Sequence, residues 1–101
     1  MKKVRTKNEL LKVLKSCREG LGERFGVTEL AVFGSYAREQ QKKRSDVDIL
    51  VALDKAHKTF DNYMELKFYL GRIVGGKVDL VIKDSVREEL KTRIFREAVH
   101  V

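Results

Sequence analysis

Residues 31–51 read AVFGSYAREQQKKRSDVDILV: an apolar run, Gly34-Ser35, a strongly charged middle, then Ser45-Asp46-Val47-Asp48 and apolar residues again. The flanks are rich in β-branched residues and end in turn formers, so they read as strands over Val27 to Phe33 and Val47 to Leu53. Between them, Gly34-Ser35 reads as a sharp turn and Tyr36 to about Gln41 as a short helix. Residues i and i+2 of a strand share a face, so the Asp46 and Asp48 carboxylates are expected side by side while Val47, Ile49 and Val51 face the other way. Adjacent anions repel unless a cation binds them. The candidates are a Lys/Arg pair or a divalent metal, and a hard ion such as Mg²⁺ suits carboxylate oxygens completed by water and substrate phosphates.

Outward from this stretch the chain keeps alternating helix and strand. Thr6-Lys7-Asn8-Glu9 has the form of a capping box, and Leu10, Leu14, Cys17 and Leu21 follow at helical spacing, which predicts a helix over about 7–24. Phe60, Tyr63, Leu66, Leu70 and Ile73 mark another helical face, stopped by Gly75-Gly76, after which KVDLVI (77–82) reads as a strand. Ser85 and Glu88 are spaced as a second capping box before Leu90, Ile94 and Ala98, and AVHV at the end reads as an extended tail. The expectation is an α+β domain over residues 1–101, a small three- or four-stranded sheet with helices packed mainly on one face.

Composition narrows the chemistry. At 101 residues, with 43% hydrophobic and 37% charged residues, the chain has room for one core and no separate substrate-binding lobe. One cysteine, Cys17, allows no internal disulfide and fits a reducing, cytoplasmic setting. No run approaches the ~20 apolar residues of a membrane span. The net charge of +7 favours anionic partners: nucleotides, nucleic acid or an acidic protein surface.

A third acid, Asp79, stands in the strand Val78-Asp79-Leu80-Val81, where a carboxylate is costly to bury without a partner. A strand ending in Gly34-Ser35 and turning into a helix offers backbone N–H groups and a hydroxyl to phosphate oxygens. Acids that hold metal beside a turn that holds polyphosphate are what phosphoryl or nucleotidyl transfer requires. With 6 Asp in the chain, an Asp-x-Asp at one prescribed distance from a given Gly-Ser arises by chance roughly once in 300.

At these residues the chain resembles the minimal nucleotidyltransferases of the DNA polymerase β superfamily, whose signature is Gly-Ser, ten residues, then Asp-x-Asp. Gly34-Ser35, residues 36–45 and Asp46-Val47-Asp48 meet it without a gap. Tyr36-Ala37-Arg38, the Asp79 strand and IFREAVHV (94–101) extend the likeness over nearly the whole chain. The resemblance implies a mixed sheet, Mg²⁺ held by Asp46 and Asp48, and nucleotide phosphates at Gly34 and Ser35. It implies that Asp79 completes the metal site or acts as general base. Members of this size resemble the antitoxin of a toxin–antitoxin pair that moves AMP from ATP onto a tyrosine hydroxyl of a HEPN-domain ribonuclease toxin. One departure is Glu39, where the family commonly has Gly after Gly-Ser-x-Ala-Arg.

Arg38 fits equally a contact to phosphate and a brace to a carboxylate. Lys42, Lys43 and Arg44, on the loop toward the phosphate end, are candidates for triphosphate or partner binding. Tyr36 is expected to pack or to touch a base, and His57 and His100 read as surface residues. Two other functions compete with an enzyme: an antitoxin that neutralises by covering its partner, and a basic nucleic-acid-binding domain. The second lacks the aromatic platform of a single-strand binder.

Overall fold

The computed structural model describes residues 2–101. Helix α1 (Lys7–Phe25) leads into strand β1 (Val27–Phe33), a four-residue helix α2 (Gly34–Ala37) and strand β2 (Val47–Leu53). Helix α3 (Phe60–Val74), strand β3 (Val78–Ile82), helix α4 (Glu88–Glu97) and a short strand β4 (Val99–His100) complete the chain. The strands form one mixed sheet in the order β3-β2-β1-β4, antiparallel at β1/β2 and β1/β4 and parallel at β2/β3. The extended tail expected at the end therefore becomes an edge strand.

Strand alternation splits the interior in two. Leu30 and Val32 of β1 with Val47, Ile49 and Val51 of β2 face α1 and α3, joining Leu10, Leu14, Leu21, Leu66 and Leu70 in the main core. Ala31, Phe33 and Leu50 point to the opposite face, where Val86 and the α4 residue Ile94 cover them. Helices thus lie mainly on one face, and α4 shields part of the other. Asp48 and Asp79 share the parity of Leu50 and Val81, so the acids open toward α4. No helix among the described residues is long and apolar enough to cross a membrane.

Local signals succeed where burial agrees with them. At α1 the Thr6 hydroxyl accepts the Glu9 N–H at 3.1 Å, and the Glu9 carboxylate accepts the Arg5 N–H at 2.9 Å, one residue before the expected cap donor. The Ser85/Glu88 box does not form. Lys83–Ser85 is a 3-10 turn, Val86 runs extended into the second core, and α4 starts at Glu88 with Arg87 as a cap that makes no side-chain bond. Burying Val86 draws the chain straight where the local signal would have coiled it. Phe60, the first residue of the apolar stripe read for α3, is 75% exposed, because the helix buries Leu66, Leu70 and Val74 instead.

Candidate active site

The site is built on the α4 face around Gly34. Gly34 adopts φ 71°, a left-handed conformation that favours glycine. A Cβ there would lie 2.8 Å from Asp48 Cγ, so only a residue without a side chain lets the turn press against that carboxylate. The parallel β2/β3 register sets Asp48 opposite Asp79, as Val47 stands opposite Val78 and Ile49 opposite Leu80. Asp46 lies one residue before β2 and is exposed.

Electrostatics single out Asp48. Burial first, then the neighbouring Asp79 and Asp46 carboxylates, push its pKa up to about 6, against the opposing pull of Arg38. The carboxyl is thus both held out of water and set beside two other acids with too little compensating charge. The donor set, hard carboxylate oxygens with an elevated pKa, fits a divalent cation such as Mg²⁺. Among the described residues no three ligating side chains close a metal shell by themselves. A carboxylate pair leaves the remaining positions to water and substrate phosphates, the usual manner of holding Mg²⁺.

Beside Asp48 is a pocket of about 340 Å³ whose walls include Gly34, Ser35 and Arg38 from the turn and Arg93 and Glu97 from α4. It brings together Gly34, Ser35, Arg38 and Asp48, four of the residues singled out in the sequence. Arg38 resolves as a brace, but its carboxylate is not one of the three aspartates: its Nη1 donates to Glu97 Oε2 at 2.9 Å. The other Glu97 oxygen accepts the Gly34 N–H at 2.9 Å, so one side chain of α4 clamps both the turn and its arginine. Burial pulls the Glu97 carboxyl upward, yet the Gly34 N–H and the Arg38 guanidinium outweigh it and hold its pKa below the ordinary value.

Glu97 escapes a reading of the sequence alone. The signal is available: it falls three residues after Ile94 and seven after Leu90, placing an acid on the apolar side of a helix. Other candidates sit elsewhere. Tyr36 is 1% exposed and donates its hydroxyl to the Val4 carbonyl at 3.0 Å, so it packs and cannot touch a base. Lys42 and Lys43 line a different pocket, beyond α2. His57 pairs with Asp54 at 2.7 Å and His100 is exposed on the edge strand. The helix after Gly34 ends at Ala37, sooner than Gln41, because Glu39 takes the left-handed φ of 58° and turns the chain. The family's usual glycine at that position thus has a conformational reason here.

The family model for the nucleotidyltransferase domain matches residues 14–101. The protein adenylyltransferase MntA of Thermococcus cleftensis is 41% identical over 96 residues, 95% of this chain and 96% of the relative. A solved structure assigned to the minimal nucleotidyltransferases has a TM-score of 0.75 at 33% identity, covering 90% of this chain and 95% of that one. The fold also recurs, with a TM-score of 0.58 at 22% identity, in a Shewanella oneidensis complex of a tri-AMPylated HEPN toxin with an MNT antitoxin; the match covers 93% of this chain and 66% of that one. A family match over residues 14–101, on a chain whose Gly34 turn is pressed against Asp48, leads to one assignment: this protein belongs to the nucleotidyltransferase domain family.

Proposed function

We propose that this chain is an antitoxin enzyme that transfers AMP from ATP to a tyrosine hydroxyl of a partner HEPN ribonuclease and thereby silences it. The observation that carries the reading is the in-register Asp48/Asp79 pair set against the Gly34-Ser35 turn. The 41% identity to a protein adenylyltransferase supports AMP as the transferred group and a protein as acceptor. The likeness in fold to an MNT antitoxin complexed with a tri-AMPylated HEPN toxin supports the choice of partner. In this reading the partner supplies the acceptor side of the site.

Ser35 and the turn hold the nucleotide phosphates, and Arg93 adds a positive charge to the same pocket wall. Asp46 and Asp48 would hold Mg²⁺, which leaves Asp79 for the role of base. When bound, the ion neutralises charge on the transferred phosphoryl group and on the leaving pyrophosphate. Asp79, directly across from Asp48, accepts the proton of the incoming hydroxyl as its oxygen bonds to the α-phosphorus and the bond to pyrophosphate breaks. Glu97 keeps Arg38 and the Gly34 N–H fixed while this happens.

Incubation with ATP, Mg²⁺ and the product of the neighbouring toxin gene is expected to add one or more AMP units to that partner, read by intact-mass spectrometry. Asp46→Asn with Asp48→Asn is expected to abolish the gain. No mass gain on an active, correctly folded toxin would refute the reading.

A further inference from the structure

On the other side of α2 lies a second pocket, of about 530 Å³, and no residue lines both it and the acidic site. Its walls carry five cations, Lys2, Lys3, Arg5, Lys42 and Lys43, and no acid. Among the described residues none of the five forms a salt bridge. Five unneutralised charges thus share one small region.

The pocket is firmly framed. The strap Lys2–Arg5 crosses the end of α3, where Val4 N–H donates to the Val74 carbonyl at 2.9 Å. A Cβ on Gly75 would lie 2.7 Å from the Lys2 carbonyl carbon, so the crossing depends on that glycine. Lys3 Nζ donates to the Ser45 carbonyl at 2.6 Å and the Lys43 carbonyl at 3.1 Å, tying the strap to the loop before Asp46. On the strap's far side a further pocket of about 460 Å³ shares Lys2, Lys3 and Arg5 and adds Lys12. Its one acid, Glu9, has an oxygen engaged by the Arg5 N–H.

Two adjoining basic pockets along one strap suit an extended polyanion better than a single phosphate group. Lysine-rich, aromatic-poor walls are unlike the core of a protein interface, which depletes Lys and enriches aromatics. The exposed aromatics of α3, Phe60 and Phe68, line neither pocket. Gln41, in the wall of the larger pocket, donates its amide to the Arg5 carbonyl while its Oε1 is buried without a partner. A small movement would offer that acceptor to a hydroxyl or amino group, which nucleotides carry and bare phosphate lacks.

We propose that the strap and its two pockets bind the sugar–phosphate backbone of a nucleic acid, by charge and without reading sequence. An aromatic platform is unnecessary for this mode, because affinity comes from phosphate neutralisation. The test is fluorescence anisotropy of the full chain with labelled mixed-sequence single strands of RNA and of DNA over a range of salt. Six cations line the two pockets, and six phosphate contacts predict a slope of log K against log salt of about −4. The triple variant Arg5→Ala, Lys42→Ala, Lys43→Ala is expected to bind at least about tenfold more weakly, with the slope reduced to about −2. A control triple that removes the same charge elsewhere, Lys55→Ala, Lys67→Ala, Arg96→Ala, is expected to bind within about twofold of the parent. Tighter binding of RNA than of DNA, or equal binding, sustains the proposal and says whether the 2′-hydroxyl is used. Absence of binding, a flat salt response, equal weakening by both triples, or stronger competition from poly-glutamate than from oligonucleotide overturns it. Circular dichroism melts confirm that each variant is folded.

Discussion

Asp48 and Glu97 press on the same glycine from two sides and are driven in opposite directions. Glu97 receives the Gly34 N–H and the Arg38 guanidinium, and its carboxyl is held acidic; Asp48 is half-buried and faces two other carboxylates, and its carboxyl is pushed up to about 6. The same functional group thus has two tasks within one turn. Glu97 is complete in the free protein and serves as a brace. Asp48 is under-compensated, and a bound cation would supply the missing positive charge.

Removing either acid probes this contrast, and the largest effect falls on chemistry. Asp48→Asn is expected to lower the transfer rate by about 10²–10³-fold or more. In the metal-free protein the same change should be stabilising. Because the Asp48 pKa is raised on folding, its favourable contribution is complete below the unfolded value near 3.8 and is lost as pH rises through about 6. With Asp48 partly exposed and screened, the penalty above that window is about 1–2 kcal/mol. Thermal melts of Asp48→Asn and parent should therefore separate by several degrees at pH 8 and converge near pH 4.

Glu97 should behave in the opposite way. Glu97→Ala is expected to cost about 1–3 kcal/mol of stability and to raise the KM for ATP more than it lowers kcat. Glu97→Gln, which can still accept the Gly34 N–H, should recover part of the stability while leaving Arg38 unpaired. Equal effects of Ala and Gln on KM would reduce Glu97 to a packing residue. Mg²⁺ affinity, measured by calorimetry, should fall as pH drops below about 6 in the parent, by up to about tenfold per unit as Asp48 takes up its proton. The smallest effect is at Glu39, whose φ of 58° is strained for a side chain; Glu39→Gly should stabilise by about 0.5 kcal/mol after allowing for the greater freedom of glycine in the unfolded chain.

The strands and the turn are readable in the sequence because there local preference and burial agree: Val27 to Phe33 and Val47 to Leu53 are strands to the residue. Thr6 caps α1 for the same reason. Ser85 fails as a cap because Val86 finds a partner far along the chain, in Ala31, Phe33 and Leu50, which no local spacing encodes. The pairing of Asp48 with Asp79 needs only the recognition that both are strand-borne. Glu97 stays hidden because its partners, Gly34 and Arg38, lie about sixty residues away in sequence. The basic pocket is hidden for a like reason: the strap at Lys2–Arg5 and the loop at Lys42–Lys43 read as separate solvated charges until Lys3 joins them.

The β2/β3 register has a consequence for how errors are excluded. A slip of β3 by one residue against β2 would bring Leu80 to the acidic face and drive Asp79 into the main core. The wrong alignment would thus fail as a fold before it could fail as an enzyme. Hydrophobic assembly acts here as proofreading for the proposed catalytic pair.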